Sequence, residues 1–90
     1  MANIKSGQDI KEKYDVQNIV TACILGAEKP FRCYEMVKVV EKKCEGSSIK
    51  ITSEQIQELV QDTIVAFQRI NLVTACNCQY YAYPCKSMIT

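Results

Sequence analysis

The strongest constraint on this chain lies between residues 52 and 71. Ile56, Leu59, Val60, Thr63, Ile64, Phe67 and Ile70 recur at helical spacing over about four turns, which gives one apolar face to a long helix. Thr52 stands three residues before Gln55, the spacing at which each side chain satisfies the other's backbone N–H in a capping box. Ile51 before the cap and Ile56 beyond it match a hydrophobic staple. A helix this one-sided must bury its stripe, so the rest of the chain is expected to supply the elements that cover it.

Upstream, two shorter patterns do so. A helix is expected to begin near Asp15, whose carboxylate can cap free N–H groups, and to bury Val16, Ile19, Val20, Cys23 and Ile24. Gly26 offers a left-handed stop, and Ala27-Glu28-Lys29-Pro30 reads as a connector. A second helix is expected from about Phe31 to Cys44, with Cys33, Val37, Val40 and Cys44 on one stripe that Tyr34, Met36 and Val39 widen. Glu45-Gly46-Ser47-Ser48 is its exit turn, and Ile49-Lys50-Ile51 is a short extended piece.

After Asn71 the period changes. Leu72-Val73-Thr74-Ala75-Cys76 and Gln79-Tyr80-Tyr81-Ala82-Tyr83 are rich in strand formers, with Asn77 and Cys78 between them as a loop. The expected architecture is therefore mainly helical α+β, three helices followed by a C-terminal β-hairpin. Residues 1–14 form a charged arm, 15–84 the domain and 85–90 a tail. Ninety residues make one compact domain with a small stability margin.

This order resembles a winged helix-turn-helix domain. The resemblance rests on Lys29-Pro30-Phe31 leading into Tyr34-Glu35-Met36-Val37, on Ile51-Thr52 opening a helix that ends at Arg69-Ile70-Asn71-Leu72-Val73, and on Tyr80-Tyr81. It covers residues 15–84 by element order and patterning, with no signature motif. It implies a winged-helix-like fold, and with it either a DNA-binding regulator or a protein-contact module.

Charge decides between those two uses. Eleven basic and ten acidic side chains leave a net charge of +1, without the positive excess that displaces counterions from phosphates. In DNA-binding winged helices the third helix enters the major groove. Here its outward residues are Glu54, Glu58 and Asp62, against Arg69 at the end. Exposed carboxylates repel phosphates by about 1 kcal/mol or less each once screened. The favoured reading is thus a small binding module acting through protein–protein contact, as an adaptor, regulator or inhibitor or as a homodimer. Its contact residues would be Glu54, Glu58, Asp62, Val65 and Tyr80. The alternative is a transcriptional regulator that contacts duplex DNA through Lys38, Lys42, Lys43, Gln57, Gln61 and Arg69.

Six cysteines are many for this length. Cys23, Cys33 and Cys44 fit apolar helix faces, where a free thiol packs as a small hydrophobe. Cys76, Cys78 and Cys85 form the sharpest cluster. Zinc would want four ligands, this chain has no histidine, and the Cys-x-Cys spacing is one residue short of the usual pair. Free thiols, an oxidised pair and a bound metal all stay open there, with free thiols favoured and no cofactor expected.

No nucleophile–base pair, carboxylate pair in an apolar setting or phosphate-cradling glycine loop is visible, so no enzyme and no small-molecule substrate are expected. The N-terminus lacks the apolar block of a signal peptide, and no run approaches a membrane span of about 20 residues. The expectation is an unprocessed cytoplasmic protein with no membrane partner.

Overall fold

The structure, a computed structural model, describes residues 7–75 together with residues 80 and 81. Its three helices are α1 (Gly7–Leu25), α2 (Cys33–Cys44) and α3 (Ser53–Arg69), each packed against the other two. Their inward faces meet in one core. It is made of Val16, Val20 and Ile24 from α1, Met36 and Val40 from α2, and Ile56, Leu59, Val60 and Ile64 from α3, closed by Phe31 and Val73. Each such aliphatic side chain, fully withdrawn from water, contributes roughly 1.5–3 kcal/mol before chain entropy is charged against it.

The start of α3 follows the sequence pattern. Gln55 N–H donates to Thr52 Oγ1 at 3.2 Å, and Thr52 N–H donates to Gln55 Oε1 at 2.9 Å. Ile51 packs against the core that holds Ile56. The entry to α2 is only half as complete. Glu35 Oε1 accepts Arg32 N–H at 2.7 Å, but the guanidinium has no acceptor atom with which to return the bond.

Several boundaries differ from the sequence reading. Helix α1 begins at Gly7, not at Asp15, which lies half-buried in its middle. Gln8, Lys11, Glu12 and Lys13 are good helix formers, and a capping residue cannot start a helix where the residues before it are already helical. Gly26 does not take a left-handed conformation. Its N–H continues the helix by donating to Ala22 O at 2.9 Å, and Ala27 N–H tightens the last turn by donating to Ile24 O at 3.3 Å. The left-handed glycine is Gly46 (φ 81°), in the exit turn of α2, where Ser47 Oγ donates to Cys44 O at 2.7 Å. Helix α2 starts at Cys33, because Phe31 is held extended: its N–H and C=O both pair with Tyr81, each at 2.8 Å. Met36 and Val40 carry the α2 stripe, while Tyr34 and Val39 face outward.

The expected C-terminal β-hairpin, and with it the α+β class and the wing that the winged-helix resemblance implies, is not shown. Among the described residues there are three helices and no strand, only isolated antiparallel bridges pairing Tyr81 with Phe31 and with Ala75. The physical cause lies at the end of α3. Asn71 is left-handed (φ 60°), its N–H donates to Gln68 O at 3.2 Å, and Leu72 N–H donates back to Phe67 O at 2.8 Å. That pair of bonds is a Schellman closure. It uses the N–H of Leu72 and turns residues 72–73 into the helix's terminus, so the first expected strand is reduced to the bridge at Ala75. Residues 76–79 and 82–83, the loop and most of the second expected strand, lie outside the described residues.

Candidate protein-contact site

The outer side of α3 is set by its inner side. Val60 is fully buried, and at 100° per residue Glu54, Glu58, Asp62, Val65 and Arg69 fall within an arc of about 80° facing away from it. All five are exposed, and Val65, at 47% exposure, stands among the charges. Glu54, Glu58 and Asp62 are successive i, i+4 neighbours, the spacing at which like charges disfavour a helix by about 0.2–0.5 kcal/mol per pair. Four of the five expected contact residues thus share one ridge. Tyr80 does not join them. It is half-buried, with the Arg32 guanidinium 4.7 Å from its ring centroid and 6.0 Å from that of Tyr34. A hydrogen bond with Tyr80 is the first reason that the pKa of Arg32 rises further above its ordinary value.

The residues of the DNA alternative are spread over α2 and α3. Lys38 and Lys42 lie one turn apart on the outer side of α2. Lys43 turns toward α1, where with Ile19, Ala22, Cys23, Gly26 and Val39 it lines a shallow groove of about 450 Å³. Gln57 and Gln61 sit on the flank of α3 that faces α2, and Gln61 lies beside the Cys33 thiol. Arg69 closes the far end of the α3 ridge.

That same flank shows how α2 and α3 are aligned. Ser53 Oγ donates to Glu41 Oε2 at one end, and Gln61 meets Cys33 at the other. The two contacts are separated by eight residues on each helix, so α2 and α3 run in opposite directions side by side.

Sequence reasoning missed a second groove, of about 580 Å³, between the first turns of α1 and the start of α3. Ile10 and Tyr14, 59% and 66% exposed, form one wall, and Ile51, Gln55 and Leu59 form the other. Their four-residue spacing was the available signal, but it is out of phase with the Val16–Val20–Ile24 stripe.

Cys23, Cys33 and Cys44 are free and half-buried against the core, as their positions on apolar faces suggest. Burial is the largest influence on each thiol and raises its pKa; Lys43 partly opposes this at Cys23, and the Gln61 side chain partly opposes it at Cys33. Cys76, Cys78 and Cys85 lie outside the described residues. Among the described residues no helix is long and apolar enough to cross a membrane. The chain matches no family model, and no curated protein or solved structure is significantly similar to it.

Proposed function

We propose that this chain is a small helical binding domain that acts by protein–protein contact, and that the outer ridge of α3 is its contact surface. The observation that carries the reading is the exposed line Glu54, Glu58 and Asp62 with Val65 set among them. Mutual repulsion makes that line a small burden on the isolated helix. A partner that presents basic groups at the same one-turn spacing, with an apolar group to cover Val65, relieves the repulsion and gains the contact.

The test is capture of partners by the wild-type chain and by a Glu58→Lys/Asp62→Lys variant. Loss of the captured proteins supports the reading, and an unchanged set ends it. The DNA alternative is separated by titrating duplex DNA at low salt. Binding that weakens steeply as salt rises would favour DNA, and no binding at low salt would remove that option.

A further inference from the structure

The ridge of α3 has a complement close by. Lys38 and Lys42 stand one turn apart on the outer side of α2, with Tyr34, 54% exposed, one turn before them. Among the described residues, Lys38, Lys42, Glu54, Glu58 and Asp62 make no ion pair within the copy. A basic ridge and an acidic ridge therefore lie side by side on antiparallel helices, both facing solvent.

Resting on the contact reading above, we propose that the partner is a second copy of this chain, packed face to face about a two-fold axis that runs along α2 and α3. The register supports this. Glu41 is level with Ser53 and Cys33 with Gln61. Lys38, three residues before Glu41, is then level with Ile56, midway between Glu54 and Glu58 and about 3 Å along the axis from each. Lys42 is level with Thr52, about 3 Å from Glu54. A two-fold axis parallel to the helices keeps these heights and lays α2 of one copy over α3 of the other. The partner's Lys38 then comes down between Glu54 and Glu58, the partner's Lys42 beside Glu54, and the partner's Tyr34 between Glu58 and Asp62. The symmetry repeats every pair, so the contact is closed and self-complementary.

This interface is small and polar. Helix α2 presents a length of only about 18 Å, and contacts of this size fall below the roughly 1,200 Å² typical of stable complexes. The dimer is accordingly weak and held largely by charge.

The experiment measures self-association of the full chain by analytical ultracentrifugation, with reductant present throughout. At low ionic strength the wild type should show concentration-dependent dimer. The dissociation constant should weaken by roughly tenfold or more at about 1 M salt, where the screening length is near 3 Å. Glu54→Lys/Glu58→Lys and Lys38→Glu/Lys42→Glu should each be monomeric, and their equimolar mixture should form a one-to-one heterodimer. Lys11→Glu/Lys13→Glu, which has the same net charge as the second variant but is altered on α1, should not pair with the first. If a reversed variant loses its helical circular dichroism, Glu54→Gln/Glu58→Gln replaces it and should weaken the dimer by about two- to fivefold per lost pair.

A monomeric wild type at low salt, reversed variants that dimerise like wild type, or a mixture that stays monomeric would each overturn the proposal. Failure here with loss of captured partners in Glu58→Lys/Asp62→Lys would leave the contact reading standing. Failure of both would remove both.

Discussion

Gln17 on α1 donates its side-chain N–H to Thr63 Oγ1 on α3 at 2.6 Å, and the Thr63 hydroxyl donates in turn to Leu59 O at 2.7 Å. Thr63 is only 4% exposed and is the one buried polar residue among the described residues. The pair fixes α1 against α3 at one height in a region where apolar packing alone would tolerate sliding. Thr63→Val keeps the shape but removes the acceptor from a half-buried amide, and is expected to cost about 1–2 kcal/mol in urea unfolding. Gln17→Met added to it removes the stranded donor as well, so the double variant should be more stable than the sum of the two single effects. Strict additivity would show that the bond contributes nothing.

The end of α3 gives a second expectation. Asn71 holds φ 60°, which asparagine tolerates and a β-branched residue does not. Asn71→Val should destabilise the domain by about 1–2 kcal/mol, whereas Asn71→Gly should stay within about 0.5 kcal/mol of wild type. Thermal unfolding of the three proteins checks the order. Equal melting points for Val and Gly would mean that the left-handed turn is absent in solution.

The half-buried thiols give a pH dependence. Cys23, Cys33 and Cys44 each have a pKa raised by burial above the ordinary 9.0. Below the unfolded-state value both states keep the thiol protonated, and the stabilising effect of burying a neutral group is fully present. As pH rises through and above 9 toward the folded value, the unfolded chain ionises first, and that contribution is lost. Urea midpoints should therefore fall above pH 9, and less steeply in a Cys23→Ala/Cys33→Ala variant compared with its own neutral-pH value. At neutral pH, peptide mapping after iodoacetamide treatment should find these three positions alkylated more slowly than in the urea-unfolded chain. Equal rates would show them exposed.

How much of this was legible in the sequence depends on how local the deciding interaction is. The cap of α3 was legible because Thr52 and Gln55 bond to each other, and the stripe from Ile56 to Ile64 because one helix repeats one period. The outward placement of Glu54, Glu58 and Asp62 followed from the same period. The start of α1 was misread because Asp15 has the chemistry of a cap but nothing before it breaks the helix. The hairpin was misread because strand propensity in Leu72–Ala75 competes with a Schellman closure that depends on the left-handed state of Asn71, which composition does not reveal. Gln17 and Thr63 are 46 positions apart, Arg32 and Tyr80 farther still, and no periodicity reports such pairs.

Phe31 offers the last expectation, because it ties the connector between α1 and α2 to the segment that carries Tyr81. Its backbone makes both bonds of an antiparallel pair with Tyr81, its ring centroid lies 6.1 Å from the Tyr81 ring, and its side chain is buried in the core. Phe31→Ala removes the ring but leaves the backbone bonds available, and should cost about 3–4 kcal/mol, a large part of the margin of a domain this small. Phe31→Leu keeps most of the apolar volume and should cost less. The informative measurement is amide hydrogen exchange in the leucine variant. Loss of the ring contact should speed exchange at Tyr81 N–H and Phe31 N–H well before it affects Val60, which opens only with the whole core. If all three amides accelerate by the same factor, the pair is no independent unit and Tyr81 is held by the global fold. If Tyr81 N–H is already unprotected in the wild type, the bridge to Phe31 does not form in solution.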